Sequence, residues 1–196
     1  MDKLTIKKQQ KMTALLNAAY HLFLKKGFGK TTIDDIVKNA GVGKGTFYLY
    51  FEDKDALIKT LIFEASMTIL EKASNYTNEH QTNVFEDNVI IFANYIIDYF
   101  TEHKDLLRIC QNNFSWPVIK EKIHRPEDAP VLFHLIEDFK NSPNMQKYTE
   151  VEMYRIIYII VEMCGSICYD CIIKKEPSSI DHFKPTLFLM IRKMLS

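Results

Sequence analysis

The sequence predicts an all-α fold, with a short N-terminal helical domain leading into a longer helical body. Three observations predict it. Apolar residues recur at spacings of three and four along most of the chain, the pattern of helices with one buried stripe. Neither period-two alternation nor an Asn-Gly hairpin turn is found. Glycines and prolines then cut the periodic stretches into segments of helical length. At 196 residues the chain can bury a sizeable core in one or two domains.

The elements follow in order. The first helix is expected over about residues 8–26, with Met12, Leu15, Leu16, Ala19, Leu22 and Phe23 on one face. Gly27-Phe28-Gly29 ends it, because glycine accepts the left-handed conformation past a helix C-terminus. Thr32-Ile33-Asp34-Asp35 opens a second helix: the threonine caps free amides, and first-turn acids suit the helix dipole. Ala40-Gly41-Val42-Gly43 stops that helix early. A third fits between Lys44 and about Tyr50, and a fourth begins after the N-cap Asp53 and reaches about Asn78. Further helices are expected over residues 84–102, 104–112, 130–139, 150–174 and 180–195. The breakers Ser142-Pro143-Asn144 and Glu176-Pro177-Ser178-Ser179 separate the last three, and the stretch 114–129, with Pro117 and Pro126, is the least regular.

Formal charges cancel over the whole chain, but not locally. Residues 1–55 hold ten lysines against six acidic residues, a net +4; the rest holds fifteen basic against nineteen acidic residues, a net −4. A basic end on an acidic body is the asymmetry expected when one end alone meets phosphate. The N-terminus lacks the apolar core of a secretion signal. The apolar run 156–173 approaches membrane-spanning length but contains Glu162 and Asp170, which favours a helix buried in a protein interface. The four cysteines, Cys110, Cys164, Cys168 and Cys171, form no secreted framework, and the expected compartment is the cytoplasm.

Two short helices around a glycine-containing turn, with a longer helix on each side, form the helix-turn-helix layout. Gly41 supplies the permissive backbone for a tight turn and Val42 plugs the angle between the helices. Ile33, Ile36 and Val37 are expected to face the first helix, with Phe47 and Phe51 closing the core from the other side. The projecting face of the third helix then carries Gly43, Lys44, Thr46, Leu49 and Tyr50, residues suited to close approach in a major groove.

Residues 32–57, TIDDIVKNAGVGKGTFYLYFEDKDAL, together with the upstream Phe23-Leu24-Lys25-Lys26-Gly27-Phe28, resemble the DNA-binding signature of TetR-family transcriptional regulators. The resemblance covers about the first sixty residues; beyond them it extends only to length, helicity and a C-terminal pair of apolar helices. It implies a DNA-binding domain over residues 1–53 and a helical effector-binding and dimerisation domain over 54–196. It also implies a ligand-responsive repressor that binds a palindromic operator as a homodimer. Thr32 would bond a phosphate through its hydroxyl or amide. Gly43, Lys44, Gly45 and Thr46 would meet DNA at the start of the recognition helix. Lys44 and Thr46 would read bases, through guanine acceptors and a thymine methyl respectively. Tyr48 and Tyr50 would bond phosphates, and Lys54 would add a charge-assisted phosphate contact. With neither arginine nor asparagine on that helix, much of the specificity would come from DNA shape.

A single helix-turn-helix reads few base pairs, so pairing across a two-fold axis is expected. Ile156, Ile157, Ile159, Ile160, Met163 and Ile167 on one helix, and Phe183, Leu187, Leu189, Met190, Ile191 and Met194 on the next, offer a surface for a four-helix seam; a monomer core is the alternative. The residues singled out for a small-molecule pocket are Phe63, Met67, Phe92, Tyr95, Phe114, Trp116, Phe133 and Tyr154, with plain packing as the alternative for each. Cys164, Cys168 and Cys171 share one helical face, which leaves open a regulator switched by thiol chemistry or a soft metal. Small apolar packing is the other reading of the same three residues. His134 and Glu137 lie one turn apart without a second such pair, so no metal site is expected there. No phosphate loop, nucleophile elbow or other catalytic grouping is present, so neither an enzyme nor a cofactor is expected.

Overall fold

The structure is a computed structural model that describes the backbone of residues 3–113 and 129–196, and the side chains of 5–110 and 129–196. The described residues are helical and contain no strand. Nine α-helices are described: α1 (Lys3–Lys26), α2 (Ile33–Ala40), α3 (Lys44–Tyr48), α4 (Lys54–His80), α5 (Phe85–Glu102), α6 (Lys104–Asn113), α7 (Pro130–Asn141), α8 (Glu150–Tyr169) and α9 (Ile180–Leu195). A π-helical turn, Asp170–Lys174, continues α8. Of the irregular stretch expected over 114–129, all but Ala129 lies outside the described residues.

The chain divides into two compact units, one running through Glu64 and one holding 65–112 and the described residues from Ala129 onward. In the first, the α1 stripe is buried as its periodicity requires: Leu15 and Ala19 are inaccessible, with Leu16 and Phe23 nearly so. Ile36 and Val37 of α2 join them, as do Phe47, Phe51, Leu57 and Ile58, while Ile33 is half-buried. Gly27, at φ 81°, ends α1 with its amide bonded to the Phe23 carbonyl at 2.9 Å.

In the second unit α5, α8 and α9 pack on one another around Ile97, Leu107, Met145, Ile160, Leu187, Ile191 and Leu195. Thr149 caps α8 reciprocally with Glu152, each side chain bonding the other's backbone amide. Ion pairs Asp98–Lys184 and Asp87–Arg192 join α5 to α9. Cys168 and Cys171 belong to the core, and Cys164 packs against it.

The continuous helical stretch Glu150–Lys174 is long and apolar enough to cross a membrane, with a mean hydropathy of 1.9 over its most apolar part. Only 22% of that part is buried against its own chain, so the apolar surface looks outward. Three quarters of the positions nominated for pairing remain at least partly open, but Ile160, Leu187 and Ile191 are taken up by the core of this unit. The exposed apolar positions are Ile159, Leu189 and Met190, which were nominated, together with Val151 and Tyr158 of α8, which were not.

Candidate nucleic-acid interface

The geometry of the α2–α3 pair follows from its two ends. Thr32 sits at the N-cap in an extended conformation (φ −98°, ψ 160°) and its hydroxyl accepts the Asp35 amide at 3.2 Å. The Asp35 carboxylate answers by accepting the Thr32 amide at 2.9 Å and the Thr32 hydroxyl at 2.6 Å. The Lys26 ammonium of α1 donates to the same carboxylate oxygen at 2.6 Å. That ammonium, followed by the two Thr32 donors, holds the Asp35 carboxyl well below the usual carboxylate range.

At the other end Gly41 adopts the left-handed conformation, φ 67° and ψ 32°. Its amide bonds the Lys38 carbonyl at 3.4 Å and the Val42 amide bonds that of Val37 at 3.0 Å, the pairing of a Schellman cap. The helix therefore stops after eight residues and the chain turns directly into α3.

α3 is five residues long and is anchored by Phe47, which is fully buried and contacts the rings of Tyr48 and Phe51. Everything around that anchor looks outward. Gly43, Lys44 and Gly45 are exposed, Tyr48 is 53% and Leu49 81% exposed, and Thr46 and Tyr50 are half-buried. A protruding turn with two glycines at its start, a lysine, a threonine and two phenols is chemically equipped to approach a nucleic-acid groove. The glycines admit close backbone contact, and the polar side chains supply donors for phosphate and base edges.

The structure gives three of the expected contact residues duties of their own. Both the Thr32 hydroxyl and amide are engaged with Asp35. Lys44 pairs with Asp34 at 2.8 Å, and that carboxylate holds the ammonium above its ordinary range. Lys54 donates to the carbonyls of Phe28 and Thr31 at 2.7 and 2.8 Å and lies 4.2 Å from the Phe28 ring centroid. One of its three N–H groups is left for another acceptor. Thr31, which the sequence reading passed over, is 1% exposed and ties its hydroxyl to the Gly27 carbonyl at 2.9 Å. Its signal was the pair of adjacent threonines, of which only the second caps the helix.

Of the residues considered for a pocket, Phe63 falls in the first unit, whereas Met67, Phe92, Tyr95, Phe133 and Tyr154 fall in the second. All six are half-buried, Tyr95 packs on Tyr76, and the Tyr154 hydroxyl is shielded from solvent. Phe114 and Trp116 lie outside the described residues. Burial pushes the Cys164 and Cys168 thiols up to about 12 and raises that of Cys171. Such thiols are protonated at neutral pH, and thiolates are the reactive and metal-binding form. No grouping of three potential metal ligands occurs among the described residues.

Comparison with known proteins points the same way. The sequence profile described as bacterial regulatory proteins, tetR family, matches residues 15–61, which take in α2, the turn and α3. The HTH-type transcriptional regulator YvdT of Bacillus subtilis is 31% identical over 115 residues, 59% of this chain and 57% of that protein. EthR of Mycobacterium tuberculosis is 28% identical over 102 residues, 50% of this chain and 45% of EthR. The chain thus spans about half the length of the curated relatives it matches. Among solved structures, a putative tetR-family regulator from Shewanella superposes with a TM-score of 0.65 at 14% identity, covering 93% of this chain and 96% of that one. FadR of Bacillus subtilis, solved in complex with stearoyl-CoA, gives 0.64 at 13% identity, covering 93% and 98%. These structures share the all-α fold, and residues 15–61, which hold the helix-turn-helix, match the tetR family of bacterial regulatory proteins.

Proposed function

We infer that the protein is a cytoplasmic, sequence-specific DNA-binding transcriptional regulator, a ligand-responsive repressor that grips a palindromic operator as a homodimer. The observation that carries the reading is the protruding α3, whose outward residues Gly43, Lys44, Gly45 and Tyr48 stand free of the core that Phe47 anchors. Thr46 and Tyr50 flank them, half-buried and therefore held in place. Thr32 and Lys54 contribute by fixing the frame, with a phosphate contact open to the remaining Lys54 donor.

The outward apolar strip of α8 and α9 supports pairing of two copies, which sets two reading heads on one duplex. A small-molecule effector acts on such a protein by preferring one spacing of the heads over another; no more than that differential affinity is required. That a regulator of the same fold has been solved with stearoyl-CoA supports a body able to take an organic ligand. The domain division at residues 53 and 54 belongs to this reading, with the reading head before it and the effector and pairing surfaces after it.

Selection of bound duplexes from a random-sequence pool tests the proposal. The expected result is an enriched palindrome with half-sites about one helical turn apart. A pool that stays unenriched after repeated rounds at moderate salt removes the assignment.

A further inference from the structure

The lysine nominated to read bases is not free. Its ammonium lies 2.8 Å from Oδ1 of Asp34, which joins the first turn of α2 to the first residue of α3. The two side chains are 53% and 71% exposed, and an ion pair that open to water does little to hold a fold together. Nor does Asp34 cap its helix. That duty belongs to Asp35, whose carboxylate takes both Thr32 donors and Lys26. The pair therefore matters mainly for what the protein presents to a duplex.

A lysine meeting DNA ordinarily replaces condensed counterions at a phosphate, and that release drives binding to any sequence. A lysine neutralised by its neighbour releases little, and the carboxylate beside it repels phosphates. A guanine edge is different. Its O6 and N7 are uncharged acceptors that take an N–H from the ammonium while another N–H stays on the carboxylate. We propose, resting on the DNA-binding reading above, that Asp34 is a specificity-determining residue: it holds the Lys44 ammonium against α2 and withholds it from phosphate, so that arbitrary duplexes bind weakly while a base contact is retained.

The test uses the full chain, a duplex enriched by the wild type from a random pool, and the unselected pool at the same length. Affinity for each is measured by fluorescence anisotropy across a range of salt. Asp34→Asn is expected to bind the unselected pool several-fold more tightly. Its salt slope for that pool should steepen by about 0.9 per reading head, the effect of one added phosphate contact. The ratio of enriched to unselected affinity should shrink, and Asp34→Glu should restore it. Asp34→Ser carries the same expectation should the asparagine variant fail to fold. Weakening of both duplexes by one common factor, with no change of slope, would mean that Asp34 only stabilises α2, and the inference falls while the DNA-binding reading stands. A wild type that enriches nothing overturns both.

Discussion

Lys54, expected from the resemblance to meet a phosphate, is already engaged within its own chain. Its ammonium bridges two backbone carbonyls, those of Phe28 and Thr31, across the start of α4 and rests over the Phe28 ring. Charge-assisted bonds of this kind are worth about 1.5–3 kcal/mol each, and removing the donor leaves the carbonyls to find other partners. Lys54→Met should therefore lower stability in urea unfolding by about 2 kcal/mol. DNA affinity should also fall, with a shallower salt slope, as the phosphate contact of the third donor is lost. A loss of affinity that is parallel at every salt concentration would confine Lys54 to holding the frame. Asp35 lends itself to a pH test. Its folded pKa is depressed by Lys26 and Thr32, so its stabilisation is complete above the ordinary carboxylate pKa and drains away as pH falls toward the lower folded value. Asp35→Asn should thus be less stable than wild type at neutral pH, with the gap closing below about pH 4 in a series of thermal melts. A gap that persists unchanged into acid would show that the carboxylate's charge is not what stabilises the cap.

Gly45 sets the stability of α3 against its function. No atom lies within 4 Å of where its Cβ would stand, and its backbone is not in the left-handed region. Glycine inside a helix is less favourable than alanine by roughly 0.5–1 kcal/mol. Gly45→Ala should therefore raise the melting temperature slightly while weakening DNA binding, since in the proposed function the added methyl would meet the duplex; tighter binding would place Gly45 away from it. Gly41 differs, since open space around it does not relieve its φ of 67°. These elements also show what could be read beforehand. Both ends of α9 match the expectation from breakers and apolar spacing, and the start of α2 was legible because a cap is a local device. α1 begins at Lys3, five residues before the expected start near Lys8, since residues such as lysine extend a helix without burying a face. α3 closes at Tyr48 rather than Tyr50 because the amides of Tyr50 and Phe51 both turn back to the Phe47 carbonyl. The candidate interface was legible in residue type, not in bonding. The pairs Lys44–Asp34 and Lys54–Phe28 depend on how three helices meet. Asp98–Lys184 and Asp87–Arg192 join residues 86 and 105 positions apart, beyond any local pattern.

For the molecule as a whole, the decisive quantity is the apolar surface that the second unit leaves uncovered. Ile160, Leu187 and Ile191 face inward, and the helical period then turns Val151 and Ile159 of α8, with Leu189 and Met190 of α9, to the outside at 59%, 50%, 48% and 38% exposure. Scattered exposed leucines are ordinary; several on two packed helices fit the pairing surface proposed above. A second copy is the economical partner, because a two-fold interface needs only one self-complementary patch. Burial at about 25 cal/mol per Å² over an interface of at least ~1,000 Å² is ample drive if the centre is dry. Ile159→Lys combined with Leu189→Lys places like charges in that centre without touching the core of either subunit. The wild type should sediment at twice the 23.0 kDa chain mass, and the double variant at the single mass with its helical circular dichroism intact. The variant should also lose most of its affinity for a two-half-site duplex while keeping the weak binding of one head, since pairing supplies the second contact at high effective concentration. A double variant that still sediments as a pair would move the interface elsewhere. A wild type that stays single at micromolar concentration would leave each head to bind its half-site alone, and the palindrome expected from duplex selection would lose its physical basis.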